Sequence, residues 1–373
     1  MTGVRTALAA IGDGAGHFAL DAVEVAAPAH GEVRVRMLAG GICHTDQASL
    51  SWPGPLVLGH EGAGVVEAVG AGVTPLRIGQ RVLLNWAIPC GQCPQCTRGR
   101  GSLCERTHGV GTTPGSSRAA PGHTRWRGQA IERSFNLGTF SEYTLVRAEA
   151  LTLLPDGLAP EQACILGCGV MTGVGAVLNV AGVQAGESVA VLGCGGVGLS
   201  AIQGARLAGA ATIIAIDRRE QALARARELG ATHAVLARAD DDSHDQLVAQ
   251  VRALSQGRGV DHAFEATAVP ALAFLPLRFA RNGGNAIQLS GSHGHATAHL
   301  PDFMWDKRYQ VPLYGGCLPE RDFPRLLDWA QRGELQLGSM VTHRYALPQL
   351  QRALDDMLVG ASAKGVILFE AEA

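Results

Sequence analysis

The chain has 373 residues, enough for two or three domains at about 100–200 residues each. Hydrophobic residues make up 47% and charged residues 17%, which excludes extended disorder and allows a sizeable core. Basic and acidic residues number 31 and 33, a balance that offers nothing to nucleic acid, and nine cysteines, an odd number, argue against a secreted disulfide framework.

From Met1 to Arg5 there is no apolar signal-peptide core or cleavage site, so a cytoplasmic, reducing location is expected. The first ~160 residues read as mainly β with many turns. Residues 31–37 alternate with period two, as a half-buried strand does; 62–69 and 77–84 give a second strand and a turn running into a third. Residues 87–138 are irregular and rich in Gly, Pro, Cys and Arg, a length that needs something to hold it. Near residue 165 the texture changes. Strands at 188–192, 212–217, 260–265 and 286–290 alternate with helices at 197–208 and 220–229, which indicates a doubly wound parallel sheet. Helices at 319–331 and 347–359 and a strand at 365–369 close the chain. The apolar runs 163–183 and 188–216 are long enough to suggest membrane spans, but glycines interrupt both, and Gln203 and Arg206 the second. They read as elements buried between layers, with no membrane span. Asp240–Asp242 reads as a solvated loop.

Cys90, Cys93, Cys96 and Cys104 form C-x2-C-x2-C-x7-C. Four thiolates at this spacing can close a tetrahedron on zinc, leaving no open position, so the site is expected to be structural. Three separate pieces supply a second set: Cys43-His44-Thr45-Asp46, Gly59-His60-Glu61-Gly62 and Gly167-Cys168-Gly169. Two cysteines and one histidine leave a zinc ion one open position, the catalytic arrangement, with Asp46 and Glu61 as carboxylates able to orient the ligands. Gly193-Cys194-Gly195-Gly196-Val197-Gly198 fits G-x-G-x-x-G, follows a strand and opens a helix, which is the context for dinucleotide binding. The pyrophosphate would sit on the helix N-terminus. Asp217 ends the next strand, where a carboxylate accepts from the adenosine ribose and repels a 2′-phosphate. NAD is therefore expected over NADP, although Arg218 and Arg219 follow directly.

Taken together these motifs, with Leu166–Val170 and Thr172-Gly173, resemble the zinc-dependent medium-chain alcohol dehydrogenases over essentially the whole chain. The resemblance implies an α/β fold: a GroES-like, mainly-β catalytic domain at 1–169 carrying the zinc lobe 87–106, a Rossmann NAD-binding domain at 170–312, and a return to the catalytic domain at 313–373. It implies two zinc ions per chain. Cys43, His60 and Cys168 match the catalytic zinc ligands, and the four lobe cysteines match the structural ones. Cys164 competes with Cys168 by proximity, but the motif favours Cys168. Thr45 matches the hydroxyl that bonds the substrate oxygen, His44 a pyrophosphate contact, Thr172 a nicotinamide contact and Lys364 a basic residue near the phosphates. Ala48 stands where many members carry the histidine that ends the proton relay; the relay here must end in water, in another group or at His44.

The implied reaction is reversible oxidation of a primary alcohol to the aldehyde, by hydride transfer to NAD from an alcohol activated on zinc. Trp86 falls where the family lines its substrate pocket with an aromatic, Trp52 lies between the first two ligands, and as pocket candidates the two favour benzylic, allylic or medium-chain alcohols. The alternative is a thiol-dependent formaldehyde dehydrogenase, which Cys43–Asp46 and the segment 105–142 resemble, with Leu166–Met171 and Tyr314–Glu320 similar to the mycothiol-dependent form. Against a glutathione adduct, Gln47–Pro55 contains no acidic residue. A nicotinoprotein holding NAD permanently is a further alternative, and a non-catalytic zinc- and nucleotide-binding module is the reading from another class. The expected partners are a small alcohol or aldehyde, with no nucleic acid and no membrane, and the resemblance implies a homodimer or homotetramer.

Overall fold

Residues Glu32–Gly41 carry the alternation of a half-exposed strand, yet nearly the whole strand is buried. Arg34, on the face expected to be solvated, is fully buried. Its guanidinium is held by Glu67 at 2.6 Å and by the carbonyls of Gly3 and Ala26. Polar residues therefore mimic an open face on a strand that is covered on both sides. These observations come from a computed structural model that describes residues 3–106, 123–238, 240–241, 243–291 and 294–370. Of the segment 105–142, residues 107–122 lie outside the described residues, as do Asp242 of the acidic run and Met1 and Thr2.

The chain forms two compact units, 1–168 with 318–373, and 169–317. In the first, Glu32–Gly41 is the spine of a seven-stranded sheet. Along one edge it pairs antiparallel with Glu61–Val69, followed by Arg81–Leu84 and Leu151–Leu153. Its other edge is shared. Tyr143–Arg147 takes the first half and the C-terminal strand Lys364–Leu368 takes the second, with Val366 opposite Gly41. Val341–Ala346 adds parallel to that last strand. A six-stranded sheet is built on the hairpin Arg5–Gly12 and Phe18–Val25. Helix Leu350–Leu358 buries Leu350 and Leu354 in one cluster with Ile42, Leu50, Leu56, Leu58 and Ile367. That cluster anchors the segments preceding Cys43 and His60. The irregular stretch 87–138 contains a short helix, Pro94–Thr97, and three short strands between Thr124 and Arg133.

The second unit is a six-stranded parallel sheet in the order His233–Leu236, Thr212–Asp217, Ser188–Leu192, Val260–Glu265, Ala280–Gln288, Arg308–Gln310. Near-continuous apolar runs suit strands covered on both faces; Val189–Val191 and Ile213–Ile216 are buried. The fifth strand starts at Ala280, earlier than the expected 286, because Arg281–Gly284 is polar and glycine-rich and its register shifts between Val260 and His262. The unit extends to Cys317, past the expected 312. The turn Tyr314–Gly316 stays with it because Asn179 donates to the Gly315 carbonyl at 3.2 Å. Among the described residues no single helix is long and apolar enough to cross a membrane.

Candidate metal centres and dinucleotide site

The first unit brings Cys43, His60, Glu61 and Cys168 together; their ligand atoms all lie within 4.8 Å of one another. Cys43 precedes helix His44–Ser49, His60 directly precedes strand Glu61–Val69, and Cys168 caps the turn Cys164–Gly167. Asp46 organises the first two. One of its oxygens accepts from His60 Nδ1 at 2.8 Å and the other from the Cys43 backbone N–H at 2.8 Å. The donor assignment at Nδ1 leaves Nε2 as the lone-pair nitrogen aimed at the sulfurs. Nε2 is buried and has no hydrogen-bond partner among the described residues, the orphan a metal ion would satisfy. The Cys168 thiol beside it, with nearby His60 and Lys364, holds the Cys43 thiol well below its ordinary range, so one sulfur is poised as thiolate. Cys164 is not in the cluster. It is fully buried, donates to the Glu161 carbonyl at 3.4 Å, and burial pushes its thiol up.

Glu61 is the carboxylate of this cluster and is fully buried. A side chain at Gly41 would place its Cβ 2.1 Å from Glu61 Oε2, so glycine there makes the room. Burial, partly offset by Lys364, lifts the Glu61 carboxyl to about 7. Lys364, expected near the cofactor phosphates, is instead buried, with its ammonium 2.7 Å from Glu61 Oε2 and 2.9 Å from the Ile42 carbonyl. The pairing of the last strand with Gly41 puts it there.

Thr45 holds its hydroxyl 3.7 Å from Cys43 Sγ, and His44 beside it is exposed. Trp86 is buried and Trp52 half-buried, the latter also packing on the core. Both meet Phe135, at 5.2 and 5.4 Å between ring centroids, and Phe135 stacks on His60 at 4.7 Å. Phe135 carries a left-handed backbone, φ 53°, a costly conformation for an aromatic residue. Sequence reasoning missed it, since a lone phenylalanine in an irregular segment gives no signal.

The four lobe cysteines also gather, their sulfurs within 4.8 Å of one another. Cys90 and Cys96 sulfurs lie 3.9 Å apart, against about 3.8 Å across a tetrahedral zinc–thiolate site. The turns aim backbone N–H groups at sulfur: Cys93 to Cys90 at 3.3 Å and Cys90 to Cys104 at 3.3 Å. Such donors stabilise thiolates.

In the second unit Gly193 makes its turn at φ 95°. A Cβ at Gly198 would fall 1.8 Å from the Gly193 carbonyl, whereas one at Gly195 would meet nothing within 4 Å. The first contact requires glycine for packing; the second leaves open space at the start of helix Gly196–Leu207, whose first residues are Gly196 and Val197. That cradle fits a pyrophosphate. Asp217 accepts from the Cys194 N–H at 2.8 Å and from the Arg219 N–H at 3.0 Å, which fixes its carboxylate beside the turn. The Arg219 guanidinium pairs with it at 3.3 Å, while Arg218 is exposed. Thr172 is half-buried in helix Gly169–Gly175.

Comparison with known proteins gives a consistent placement. Residues 29–156 match the alcohol dehydrogenase GroES-like domain and 196–332 the zinc-binding dehydrogenase family. The S-(hydroxymethyl)glutathione dehydrogenase of Synechocystis sp. is 37% identical, covering 92% of this chain and 94% of its own. The enzyme of that name from Escherichia coli O1:K1 is 35% identical, covering 93% and 95%. Benzyl alcohol dehydrogenase from Acinetobacter calcoaceticus superposes with a TM-score of 0.88 at 29% identity, covering 98% of this chain and 100% of that one. An alcohol dehydrogenase zinc-binding domain protein from Burkholderia ambifaria also gives 0.88, at 32% identity, covering 99% and 100%. With these matches, two residue groups able to hold a metal ion and the glycine turn, the chain belongs to the zinc-dependent alcohol dehydrogenases of the medium-chain dehydrogenase/reductase superfamily.

Proposed function

We propose that the enzyme oxidises primary alcohols carrying an aromatic or allylic group to the aldehyde, reversibly, with NAD as hydride acceptor. The observation that carries this reading is the ring cluster beside the metal ligands: Phe135 stacks on His60 and touches Trp52 and Trp86. A flat substrate gains offset and edge contacts with such rings, which a short aliphatic alcohol does not. The likeness to a benzyl alcohol dehydrogenase supports it. Medium-chain alcohols fit the same apolar wall less specifically.

In this reading Cys43, His60 and Cys168 hold the catalytic zinc, and Cys90, Cys93, Cys96 and Cys104 the structural one. When bound, the catalytic zinc supplies Lewis-acid polarisation of the substrate oxygen and lowers its pKa. Asp46 keeps His60 in the tautomer that presents Nε2. Thr45, beside Cys43, hydrogen-bonds the substrate hydroxyl and takes its proton. The proton leaves toward exposed His44 and solvent, since Ala48 has no group to carry it. Gly193, Gly195, Gly196, Val197 and Gly198 cradle the pyrophosphate, Asp217 selects the unphosphorylated ribose, and Thr172 contacts the nicotinamide. Lys364 serves Glu61 rather than the phosphates. The nine cysteines are free thiols, as ligand cysteines in the cytoplasm would be. A homodimer completes the reading: Leu300, Met304, Trp305 and Val311, each more than half exposed, surround the edge strand Arg308–Gln310.

A second reading is oxidation of an S-hydroxymethyl thiol adduct, favoured by the curated relatives of that name. The absence of an acidic residue in Gln47–Pro55 weighs against a glutathione adduct. Rates with NAD on benzyl alcohol, geraniol and butanol, and on formaldehyde with and without glutathione or mycothiol, separate the two. A higher kcat/KM on benzyl alcohol than on either adduct supports the first reading; the reverse order replaces it with the second.

A further inference from the structure

The order of the parallel sheet reverses between its first strand, Ser188–Leu192, and its fourth, Val260–Glu265. Ligands of such sheets lie outside the carboxyl ends of the strands at this crevice. Leu192 and Glu265 are paired there, one residue before the glycine turn. Glu265 is fully buried, an unusual place for a carboxylate.

Its bonds explain the burial. Oε1 accepts both the backbone N–H and the hydroxyl of Thr267, each at 2.5 Å, and Oε2 accepts the hydroxyl of Ser290. One carboxylate thus ties the loop after the fourth strand to the loop after the fifth. Charge-assisted bonds of this kind are short and stiff. The first loop is strained as well as tied: Ala268 sits at φ 60°, and Val269 donates back to the Thr267 hydroxyl at 3.1 Å. The second is held again from behind, where Gln288 donates to the Ser290 carbonyl at 3.2 Å and Tyr309 donates to Gln288 at 2.5 Å. The first loop is also the wall of the glycine turn. A Cβ on Gly193 would lie 2.9 Å from both Ala266 and Thr267. Non-glycine residues persist in the left-handed region when the surroundings over-determine them, and such positions gather at ligand sites.

We propose that Glu265 is a positioning residue for the dinucleotide: it clamps Thr267 and Ser290 so that the fourth and fifth strands present one fixed rim to the nicotinamide half of NAD. The adenosine half falls to the other side of the first strand, where Asp217 ends the second. The proposal rests on NAD binding by this unit. It predicts that the clamp acts on one half of the cofactor only.

The test is binding, read apart from turnover. NADH is titrated by fluorescence and 5′-AMP by calorimetry on the full chain, with thermal unfolding as a check of fold. Glu265→Ala is expected to weaken NADH about tenfold, the usual scale for losing charged hydrogen bonds, and 5′-AMP less than about twofold. Ser290→Ala and Thr267→Val each remove one hydroxyl and are expected to weaken NADH about threefold. Glu265→Gln keeps one acceptor and gains a donor for Ser290, so it recovers part of the loss in Glu265→Ala. Unchanged NADH affinity in Glu265→Ala overturns the proposal, as does an equal loss for NADH and 5′-AMP. Where Glu265→Ala does not fold, unchanged affinity in both hydroxyl variants overturns it. Wild-type protein that fails to bind NADH would overturn the cofactor reading itself, a different result from either.

Discussion

Glu61 and Lys364 stand 303 positions apart in the chain and form a buried ion pair at 2.7 Å, beside Cys43 and His60. Burial leaves both partners little access to water. Breaking one side of a buried pair typically costs about 3–5 kcal/mol, because the remaining charge is left uncompensated. Lys364→Met should therefore lower unfolding stability by about 3 kcal/mol in urea titrations. The double variant Lys364→Met with Glu61→Gln should recover much of that. A single variant as stable as wild type would show that the pair contributes nothing.

Asp46 reaches both His60 and Cys43, so it orients two of the proposed zinc ligands at once. Asp46→Asn should reduce catalytic zinc affinity about 10–100-fold while the lobe keeps its zinc. Zinc content should fall from two per chain to one on brief treatment with a chelator. Cys43→Ser should likewise leave one zinc, no turnover and a folded protein. Two zinc ions retained after chelation of Asp46→Asn would contradict this role.

Removing the Phe135 ring should separate substrates. Phe135→Ala is expected to cut kcat/KM for benzyl alcohol about tenfold, the sum of lost ring contacts and lost apolar area, and that for ethanol less than about threefold. Equal losses would mean that the ring supports His60 without selecting the substrate.

At the amino end of the parallel sheet, Asp261 accepts from the Ser188 hydroxyl and N–H and pairs with Arg281 at 2.6 Å. Burial pushes its carboxyl up, but these donors prevail and hold it at about 2. A depressed folded pKa stabilises above the unfolded value, near 3.9, and that contribution is lost as pH falls toward 2. Asp261→Asn should cost about 1 kcal/mol at pH 7 after solvent screening, and the difference from wild type should shrink between pH 4 and pH 2. A penalty independent of pH would assign the effect to packing.

The nucleotide-binding unit was legible where local pattern and fold agree. Apolar runs gave Ser188–Leu192, Thr212–Asp217 and Val260–Glu265 to the residue, and the glycine turn stood between the first strand and its helix. The lobe cysteines were legible because their spacing is itself the geometry. What failed depended on partners distant in sequence. The spine strand looked half-exposed because Arg34 gives no sign of Glu67 and two carbonyls waiting for it. Lys364 looked like a phosphate contact because only strand pairing reveals Gly41 as its neighbourhood. Phe135 lies within the irregular stretch 87–138, and nothing in the sequence marks its ring as the one that meets His60, Trp52 and Trp86.

The shared edge of the spine strand also orders events during synthesis. Cys43, His60 and Cys168 are all translated before the nucleotide-binding unit exists, and they could gather metal early. Glu61 cannot meet its counter-ion then, because the strand that carries Lys364 is the last made among the described residues and must slot beside Gly41, next to Val341–Ala346. The ion pair beside the Cys43, His60 and Cys168 cluster is therefore the last part of it to mature. Ribosome-bound chains stalled before residue 364 would carry all the proposed zinc ligands but lack the counter-ion of Glu61.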